Sequence, residues 1–189
     1  MSRLTESEAL DLFLNAPLDE LCARANAEKE HRHGKSVYWV NNRQINYTNV
    51  CVLHCKFCAF SKIKKDSPTA YDWDYDTIRN KAAEAIAGGA RELHIVGGLH
   101  PDHPFDYYIE MLRKLRVEFP KVNLKAFTAV EICHFAKLSG QTPLQIMTTL
   151  KEAGLDALPG GGAEILVQDV RDQICPGKET GEEWLDVHR

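Results

Sequence analysis

The amino-acid sequence predicts an α/β fold in which parallel strands alternate with helices. Four short apolar runs, near residues 45, 93, 123 and 156, have the length of buried strands. A segment with helical periodicity follows each run, and glycines follow the second and fourth runs. Because strands that alternate with helices form parallel βα units, we expect a parallel sheet covered by helices.

The number of βα units distinguishes a whole barrel from part of one. A closed barrel of eight units takes about 250 residues, whereas this chain of 189 residues shows four such units. The last helical pattern opens with a capping box, Thr180 and Glu183, and has no stop signal before Arg189. We therefore expect residues 37–189 to form the N-terminal half of a TIM-type β/α barrel, in a truncated chain.

A helical segment, residues 1–36, is predicted to precede the barrel. Thr5 and Glu8 form a capping box, so a first helix starts near residue 6. A second helical pattern, "PLDELCARANAEKEH", ends at Gly34. The β-rich runs "VYWV" and "RQINYT", separated by two asparagines, then predict a hairpin.

Caps, prolines and glycines set the bounds of the elements predicted after the first strand. These elements are a helix from Asp74 or Asp76 to Gly88, a strand at 92–98, a helix from Pro104 to Phe119, a strand at 122–130, a helix from Thr142 to Gly154, and a fourth short strand near 156.

Composition and charge argue against several classes of partner. With 44% hydrophobic and 26% charged residues, the chain has the composition of a globular domain. Its net charge of −4, without a basic tail or a cluster suited to a phosphate backbone, predicts no nucleic-acid partner. No apolar run approaches the roughly 18 residues of a membrane span, and the N-terminus does not resemble a signal peptide. We expect a cytoplasmic protein without a membrane partner, where clustered cysteines bind metal or act in catalysis.

Three of the six cysteines fall within eight residues, in the stretch "NVCVLHCKFCAF". Cys51, Cys55 and Cys58 have the spacing Cys-x3-Cys-x2-Cys, and three thiolates suit a soft metal centre. A structural zinc takes four protein ligands, and His54 lies between the cysteines, where it should point away from a site that they share. An iron–sulfur cluster with one open iron is the favoured interpretation, with zinc as the alternative. The other cysteines are interpreted as buried or half-buried residues, namely Cys22, Cys133 and Cys175.

The cysteine motif, with Phe57 before the third cysteine, resembles that of the radical S-adenosylmethionine superfamily, Cys-x3-Cys-x-aromatic-Cys. The resemblance implies a [4Fe-4S] cluster whose open iron chelates the amino and carboxylate groups of S-adenosylmethionine. One electron then splits the sulfonium into methionine and a 5′-deoxyadenosyl radical, which implies an electron donor such as flavodoxin or ferredoxin. Phe57 would pack beside the adenine; a hydrophobic prop for the loop is the alternative role.

Two glycine motifs and two acids follow the later strands. By resemblance, Gly97 and Gly98 are the glycine pair whose backbone contacts the methionine amino group, although the Glu that often follows the pair is replaced here. Glu131 is expected to accept hydrogen bonds from ribose hydroxyls, with a helix cap or a surface carboxylate as the alternative. Gly161 and Glu164, in "PGGGAEI", are expected to approach the cofactor closely, with a plain turn as the alternative.

Within the superfamily, the chain resembles the aminofutalosine synthases of menaquinone biosynthesis. The segments "ELHIVGGLHPD", "LKAFTAVEI", "LPGGGAEI" and "ICPGK" are the basis of this likeness. In that family the deoxyadenosyl radical adds to the enol ether of 3-[(1-carboxyvinyl)oxy]benzoate, and the adduct rearranges and loses a carboxylate to give aminofutalosine. The resemblance thus implies a transferase that consumes S-adenosylmethionine as a co-substrate. A sister cyclase, a deazaflavin-forming enzyme and an inactive iron–sulfur-binding fragment are the alternatives.

A dicarboxylate substrate needs cationic or N–H donors nearby. His100 follows the glycine pair on the expected rim of the barrel, and we expect it to be the catalytic contact. His94 and Lys125 are weaker candidates, because a core histidine and a solvated lysine explain them equally well.

Overall fold

The computed structural model describes residues 3–189. It divides the chain into two compact units, which meet in the sequence at Trp39 and Val40. The first unit holds the two predicted N-terminal helices, α1 (Glu6–Asn15) and α2 (Leu18–His33). The predicted capping box opens α1, and a glycine with a φ of 59° closes α2. Both helices therefore follow the local signals in the sequence.

The second unit contains a three-stranded parallel sheet in the order β1–β2–β3. The strands pair in register, so that their carboxyl ends lie at the same edge of the sheet. In chain order the elements are β1 (Asn42–Ile45), α3 (Tyr75–Ala87), β2 (Glu92–Ile95), α4 (Phe105–Glu118), β3 (Asn123–Ala126), α5 (Ala129–Ser139), α6 (Pro143–Glu152), α7 (Gln168–Ile174) and α8 (Gly181–His188).

The sheet and its helices form part of a TIM-type β/α barrel, as the sequence predicts. Beyond β3 the chain continues the sheet through one bridge only, between Lys125 and Ala157. The amide of Ala126 donates to the carbonyl of Ala157 at 3.0 Å, and the amide of Asp156 donates to the carbonyl of Leu124 at 3.0 Å. The predicted fourth strand is thus an extended stretch with a single bridge.

The hairpin predicted before the barrel is wrong. Residues 37–40 form no strand, and their side chains are exposed. Strand β1 pairs in parallel with β2 instead. Asn41 is held at the end of α3, because its side chain donates to the carbonyl of Gly89 at 3.0 Å and its carbonyl accepts from the amide of Arg91 at 2.8 Å. These contacts align the chain with β2, so the asparagines do not form a tight turn.

The strand predicted at 122–130 ends at Ala126, because α5 begins three residues later. Phe127, with a φ of 60°, turns the chain between the two elements. Thr128 and Glu131 then form a capping box that opens α5. The pattern Thr-x-x-Glu in "FTAVEI" is a sequence signal for this helix that the strand interpretation overlooked. Glu131 consequently lies in the first turn of a helix and not at the end of a strand.

The core of the second unit lies between the sheet and the helices, and is rich in aromatic side chains. The Tyr108 and Phe135 rings have centroids 4.3 Å apart, and Phe127 meets both edge-on. All three side chains are fully buried, which gives each a large hydrophobic contribution to folding. Among the described residues, every helix is too short or too polar to cross a bilayer.

Candidate functional site

The cysteine loop follows the carboxyl end of β1 and is closed by its own backbone bridge. Val50 pairs in parallel with Lys62, and the amide of Cys51 donates to the carbonyl of Lys62 at 3.0 Å. Inside the loop, the amide of Cys58 donates to the carbonyl of Cys55 at 3.0 Å. Cys51 is buried, Cys55 and Cys58 are half-buried, and all three are free thiols. The loop therefore has a defined conformation that presents three possible ligands.

A cavity of about 420 Å³ lies at the carboxyl ends of the strands, the edge at which barrel enzymes build their sites. The structure brings together on its wall seven of the predicted site residues, Cys51, Cys55, Phe57, Cys58, Gly97, Glu131 and Glu164. Within the described chain, three other predicted residues are not part of this wall, namely Gly98, His100 and Gly161. The apolar part of the wall includes Leu53, Phe60, Val96, Leu99 and Val130.

The surroundings of Cys55 and Cys58 shift their pKa values in opposite directions. Burial raises the pKa of Cys55 to about 11, although the nearby Lys178 acts to lower it. Burial acts in the same sense on Cys58, but hydrogen bonds from Ser61 and from the amide of Phe60 outweigh it, so the pKa of Cys58 is lowered. A metal ligand must be a thiolate. The loop therefore favours deprotonation of Cys58 over that of Cys55.

The two glycines after β2 lie where a side chain would collide with the chain that follows β1. A Cβ on Gly97 would lie 2.6 Å from the ring of Tyr47, and one on Gly98 would lie 2.2 Å from the carbonyl oxygen of Val50. The amide of Gly98 donates to the carbonyl of Thr48 at 2.9 Å. The glycine pair therefore allows the backbones after β1 and β2 to pack closely. Gly97 lines the cavity, whereas Gly98 supports the loop from behind.

Glu131 is a buried residue that connects three parts of the rim. Its Oε1 accepts hydrogen bonds from the Tyr47 hydroxyl at 2.9 Å and the Gly97 amide at 3.2 Å. Its Oε2 accepts from the amide and the hydroxyl of Thr128 at 2.7 and 3.0 Å. Burial raises the pKa of Glu131 to about 7, against the lowering effect of these hydrogen bonds. Glu131 therefore caps α5, which is the alternative role considered for it, and it also lines the cavity.

A buried arginine holds the glycine-rich turn in place. Arg171, on α7, is 1% exposed and donates to the carbonyls of Gly162, Ala163 and Ile165 at 3.2, 2.5 and 3.0 Å. It also donates to the carboxylate of Glu179 at 2.5 Å. Gly162 has a φ of 96°, a conformation that favours glycine. The turn is therefore a fixed part of the site and not a plain flexible connection.

Lys178 is a cavity residue that the sequence reasoning did not assign. Its ammonium donates to Oε2 of Glu164 at 2.7 Å and lies 5.7 Å from the centre of the Phe57 ring. The side chain is only 5% exposed, and its charge acts on Cys55 and Cys58 to lower their pKa values. A single lysine has no spacing signal of its own. Its place in the segment "ICPGK" was the one available indication.

His100 lies in a separate cluster with Asp72 and His103. Asp72 Oδ2 is 3.7 Å from His100 Nε2 and 2.7 Å from His103 Nε2, and the two rings stack with centroids 4.0 Å apart. The potential ligand atoms of all three lie within 4.8 Å of one another. The amide of Asp102 donates to Nδ1 of His100 at 3.2 Å, and burial lowers the pKa of His100. The Nδ1 lone pair of His100 is therefore occupied by the amide of Asp102.

The two weaker cationic candidates also lie away from the cavity wall. His94 on β2 and Lys125 on β3 are register partners in the sheet. The ammonium of Lys125 pairs with Oε1 of Glu92 at 2.5 Å. His94 is half-buried, and burial lowers its pKa.

The donor set of the cavity fits an iron–sulfur cluster better than a structural zinc. Three thiols share one wall with the ammonium of Lys178, which offsets part of the negative charge of the thiolates. His54, the fourth zinc ligand considered, is exposed and does not line the cavity that all three cysteines share. A closed zinc site needs four protein ligands. A cluster held by these three thiolates would have one iron free for a ligand that is not part of the protein.

Comparison with known proteins establishes the class to which this fold and site belong. The chain belongs to the radical SAM superfamily, whose family model matches residues 45–189. The matched region contains the cysteine loop and all the residues that line the cavity except Gln44. The fold is also similar to the crystal structure of methylornithine synthase, with a TM-score of 0.57 and 13% identity over 82% of this chain and 55% of that one.

Three curated relatives are similar over most of the chain. Aminodeoxyfutalosine synthase of Thermus thermophilus is 40% identical over 99% of this chain and 50% of its own length. Cyclic dehypoxanthine futalosine synthase of Streptomyces coelicolor is 38% identical over 98% and 47%. The 5-amino-6-(D-ribitylamino)uracil–L-tyrosine 4-hydroxyphenyl transferase of Methanopyrus kandleri is 40% identical over 82% and 42%. The chain thus spans about half the length of the curated relatives that it matches.

Proposed function

We propose that this protein is a radical S-adenosylmethionine transferase. It adds the 5′-deoxyadenosyl group to 3-[(1-carboxyvinyl)oxy]benzoate and yields 6-amino-6-deoxyfutalosine, a step of menaquinone biosynthesis. The observation on which the proposal rests is that one cavity wall brings together three thiols and four of the six expected cofactor-binding residues, Phe57, Gly97, Glu131 and Glu164. The choice of reaction is supported by the 40% identity with aminodeoxyfutalosine synthase over 99% of the chain.

The cysteines and the first two strand ends would hold the metal and the nucleoside. Cys51, Cys55 and Cys58 would ligate a [4Fe-4S] cluster, which when bound supplies one electron and an open iron for S-adenosylmethionine. Phe57 would pack against the adenine from the cysteine loop. Gly97 presents bare backbone to the cavity, so a ligand can approach it without meeting a side chain.

The two acids that line the cavity would face the ribose and methionine parts of the co-substrate. All four hydrogen bonds that Glu131 accepts come from protein groups. A carboxylate has about four acceptor sites, so a ribose hydroxyl that binds Glu131 must replace one of these donors. Glu164 projects into the cavity from the turn. Gly161 supports that turn, because its carbonyl accepts from the Trp184 indole at 3.1 Å.

Lys178 is the cation that we propose for the substrate carboxylates. It lines the cavity, whereas His100 does not, and its ammonium is paired only with the Glu164 carboxylate among the described residues. A dicarboxylate that entered the cavity would gain a charge-assisted hydrogen bond from this ammonium. His100 stays a predicted contact that the cavity geometry does not support.

Two other activities are supported by the comparisons at nearly the same level. The relatives named as cyclic dehypoxanthine futalosine synthase and as a tyrosine 4-hydroxyphenyl transferase are 38% and 40% identical to this chain. Both belong to the alternatives that the sequence left open. An iron–sulfur-binding fragment without turnover is the remaining candidate, since the chain spans about half of each relative.

The test begins with anaerobic reconstitution of the purified chain with iron and sulfide. The protein is then incubated with dithionite, S-adenosylmethionine and one substrate at a time, and products are identified by mass spectrometry. The substrates are 3-[(1-carboxyvinyl)oxy]benzoate, dehypoxanthine futalosine, and 5-amino-6-(D-ribitylamino)uracil with tyrosine. Aminodeoxyfutalosine from the first supports the proposal. Turnover of another substrate selects a sister enzyme, and a cluster without turnover selects the fragment. Bound zinc without iron contradicts all of these activities.

A further inference from the structure

A second groove, of about 620 Å³, lies on another face of the cysteine loop. Cys55, Cys58 and Ser61 line both this groove and the cavity, so two cysteines belong to the wall between them. None of the strand-end residues that line the cavity reaches the groove within the described chain. Its other lining residues include three lysines, which define it here as the lysine groove, Lys56, Lys62 and Lys64.

The lysine groove is positively charged on a chain that is negative overall. Residues 54–67 contain four lysines and a single acid, Asp66, whereas the whole chain has a net charge of −4. Lys56 and Lys64 are exposed, and neither takes part in an ion pair with a described residue. Lys65 beside them is paired with Asp102. Unpaired charge of one sign in a concave surface attracts partners of the opposite sign and accelerates their association.

We propose that the lysine groove is the docking surface for an acidic electron-carrier protein of the flavodoxin or ferredoxin kind. A protein donor cannot enter a cavity of about 420 Å³, and that cavity is where we place the co-substrate and substrate. Cys55 and Cys58 also line the groove, so a protein donor bound there would lie against two of the cluster ligands. One electron passes from the reduced cofactor of the donor to the cluster, so the donor is oxidised and the cluster reduced, without bond formation or proton transfer. This inference rests on the proposed function, because it requires a redox cluster on these cysteines.

The experiment compares two charge-reversal variants of the whole, cluster-loaded chain. Lys56→Glu/Lys64→Glu alters the groove, and Lys121→Glu/Lys151→Glu makes the same change of net charge at two exposed lysines that do not line it. Each protein is mixed anaerobically with a reduced bacterial flavodoxin, and the visible absorption of the cluster reports its reduction without any turnover. Photoreduced deazariboflavin, a small neutral donor, is used in parallel to report whether the cluster itself accepts electrons normally.

We expect flavodoxin to reduce the groove variant about tenfold more slowly than the unmodified protein at low salt, and the control variant within about twofold. Added salt should slow the unmodified protein towards the groove variant. Lys56→Arg/Lys64→Arg should keep the original rate, and deazariboflavin should reduce all the proteins alike.

Five results would overturn the inference, and they separate it from the proposed function. Equal flavodoxin rates in all variants, or no reduction of the unmodified protein by flavodoxin, would remove the docking role and leave the function intact. Equal slowing of the groove variant with both donors would assign the effect to the cluster potential. A chain that holds no iron, or whose cluster deazariboflavin cannot reduce, would overturn the proposed function and the inference with it.

Discussion

The hydroxyl of Tyr47 donates a 2.9 Å hydrogen bond to Oε1 of Glu131, and both residues are buried. Tyr47 follows β1 and Glu131 lies in the first turn of α5, so the bond joins positions 84 residues apart in the chain. The same oxygen accepts the amide of Gly97 at 3.2 Å. One carboxylate therefore connects the ends of three successive βα units at the cavity wall.

This buried carboxylate predicts a pH-dependent contribution to stability. Its pKa is about 7 in the folded chain against a usual 4.5. Below pH 4.5 the group is protonated in both states, and between pH 4.5 and 7 it is protonated only in the folded state. Stability from Glu131 is therefore present at low pH, falls as pH rises through this window, and is lost above it. The total change is at most roughly 3 kcal/mol.

Urea unfolding of the unmodified chain and of Glu131→Gln, at a series of pH values from 4 to 8, measures this contribution. The difference in unfolding free energy between the two should decrease from pH 4.5 to 7 and stay constant above pH 7. Glu110→Gln, the same change at an exposed position of α4, serves as the control. A difference for Glu131→Gln that does not vary with pH would contradict the prediction.

The close approach of Gly98 to Val50 predicts that one methyl group added at Gly98 lowers stability more than one added at an uncrowded glycine. Gly98→Ala would place a Cβ 2.2 Å from the Val50 carbonyl oxygen, so the cysteine loop must shift. We expect a loss of stability of about 1–3 kcal/mol and weaker retention of iron. Gly160→Ala is the matched control, because nothing lies within 4 Å of a Cβ there, and it should change stability by less than about 0.5 kcal/mol. Equal effects of the two substitutions on denaturation and iron content would refute this account of the glycine pair.

The three cysteines of the loop are predicted to be equally necessary for the metal. Cys51→Ser, Cys55→Ser and Cys58→Ser should each abolish retention of the roughly four irons per chain expected after anaerobic reconstitution. Cys22→Ser, at an exposed position of α2, should retain them all. Iron and sulfide analysis with the visible spectrum gives the measurement. Full iron retention by any of the three loop variants would remove that cysteine from the ligand set.

The buried pair of Arg171 and Glu179 predicts that the glycine-rich turn depends on one side chain. Arg171→Met leaves the Glu179 carboxylate without its ion-pair partner and three turn carbonyls without their donor. We expect a loss of about 3–5 kcal/mol in chemical denaturation, because the charge left behind is buried. The double variant Arg171→Met/Glu179→Met should recover part of this loss. A single variant as stable as the unmodified chain would show that the turn is held by other contacts.

Much of the local structure could be predicted from short sequence patterns. Capping boxes correctly placed the starts of α1 and α8, and Pro104 the start of α4. Thr128 and Glu131 form the same kind of box at the start of α5. The apolar run before Thr128 continues through the box without a break, so the pattern predicts a strand there instead. The hairpin prediction was wrong for a different reason. Strand β1 pairs with β2, 50 residues further along the chain, and a local turn signal contains no information on such a distant partner.

The sequence by itself determined the superfamily and predicted the three cysteine ligands, because three thiols within eight residues form a spacing motif that folding need not assemble. Only the tertiary structure decided which other residues share the cavity. Parallel strands bring their carboxyl ends to one edge of the sheet, where the cavity lies. Glu131 and Lys178 line this cavity, whereas His100 lies in a separate cluster with Asp72 and His103. Such membership depends on distances between residues far apart in the chain, which no local pattern encodes.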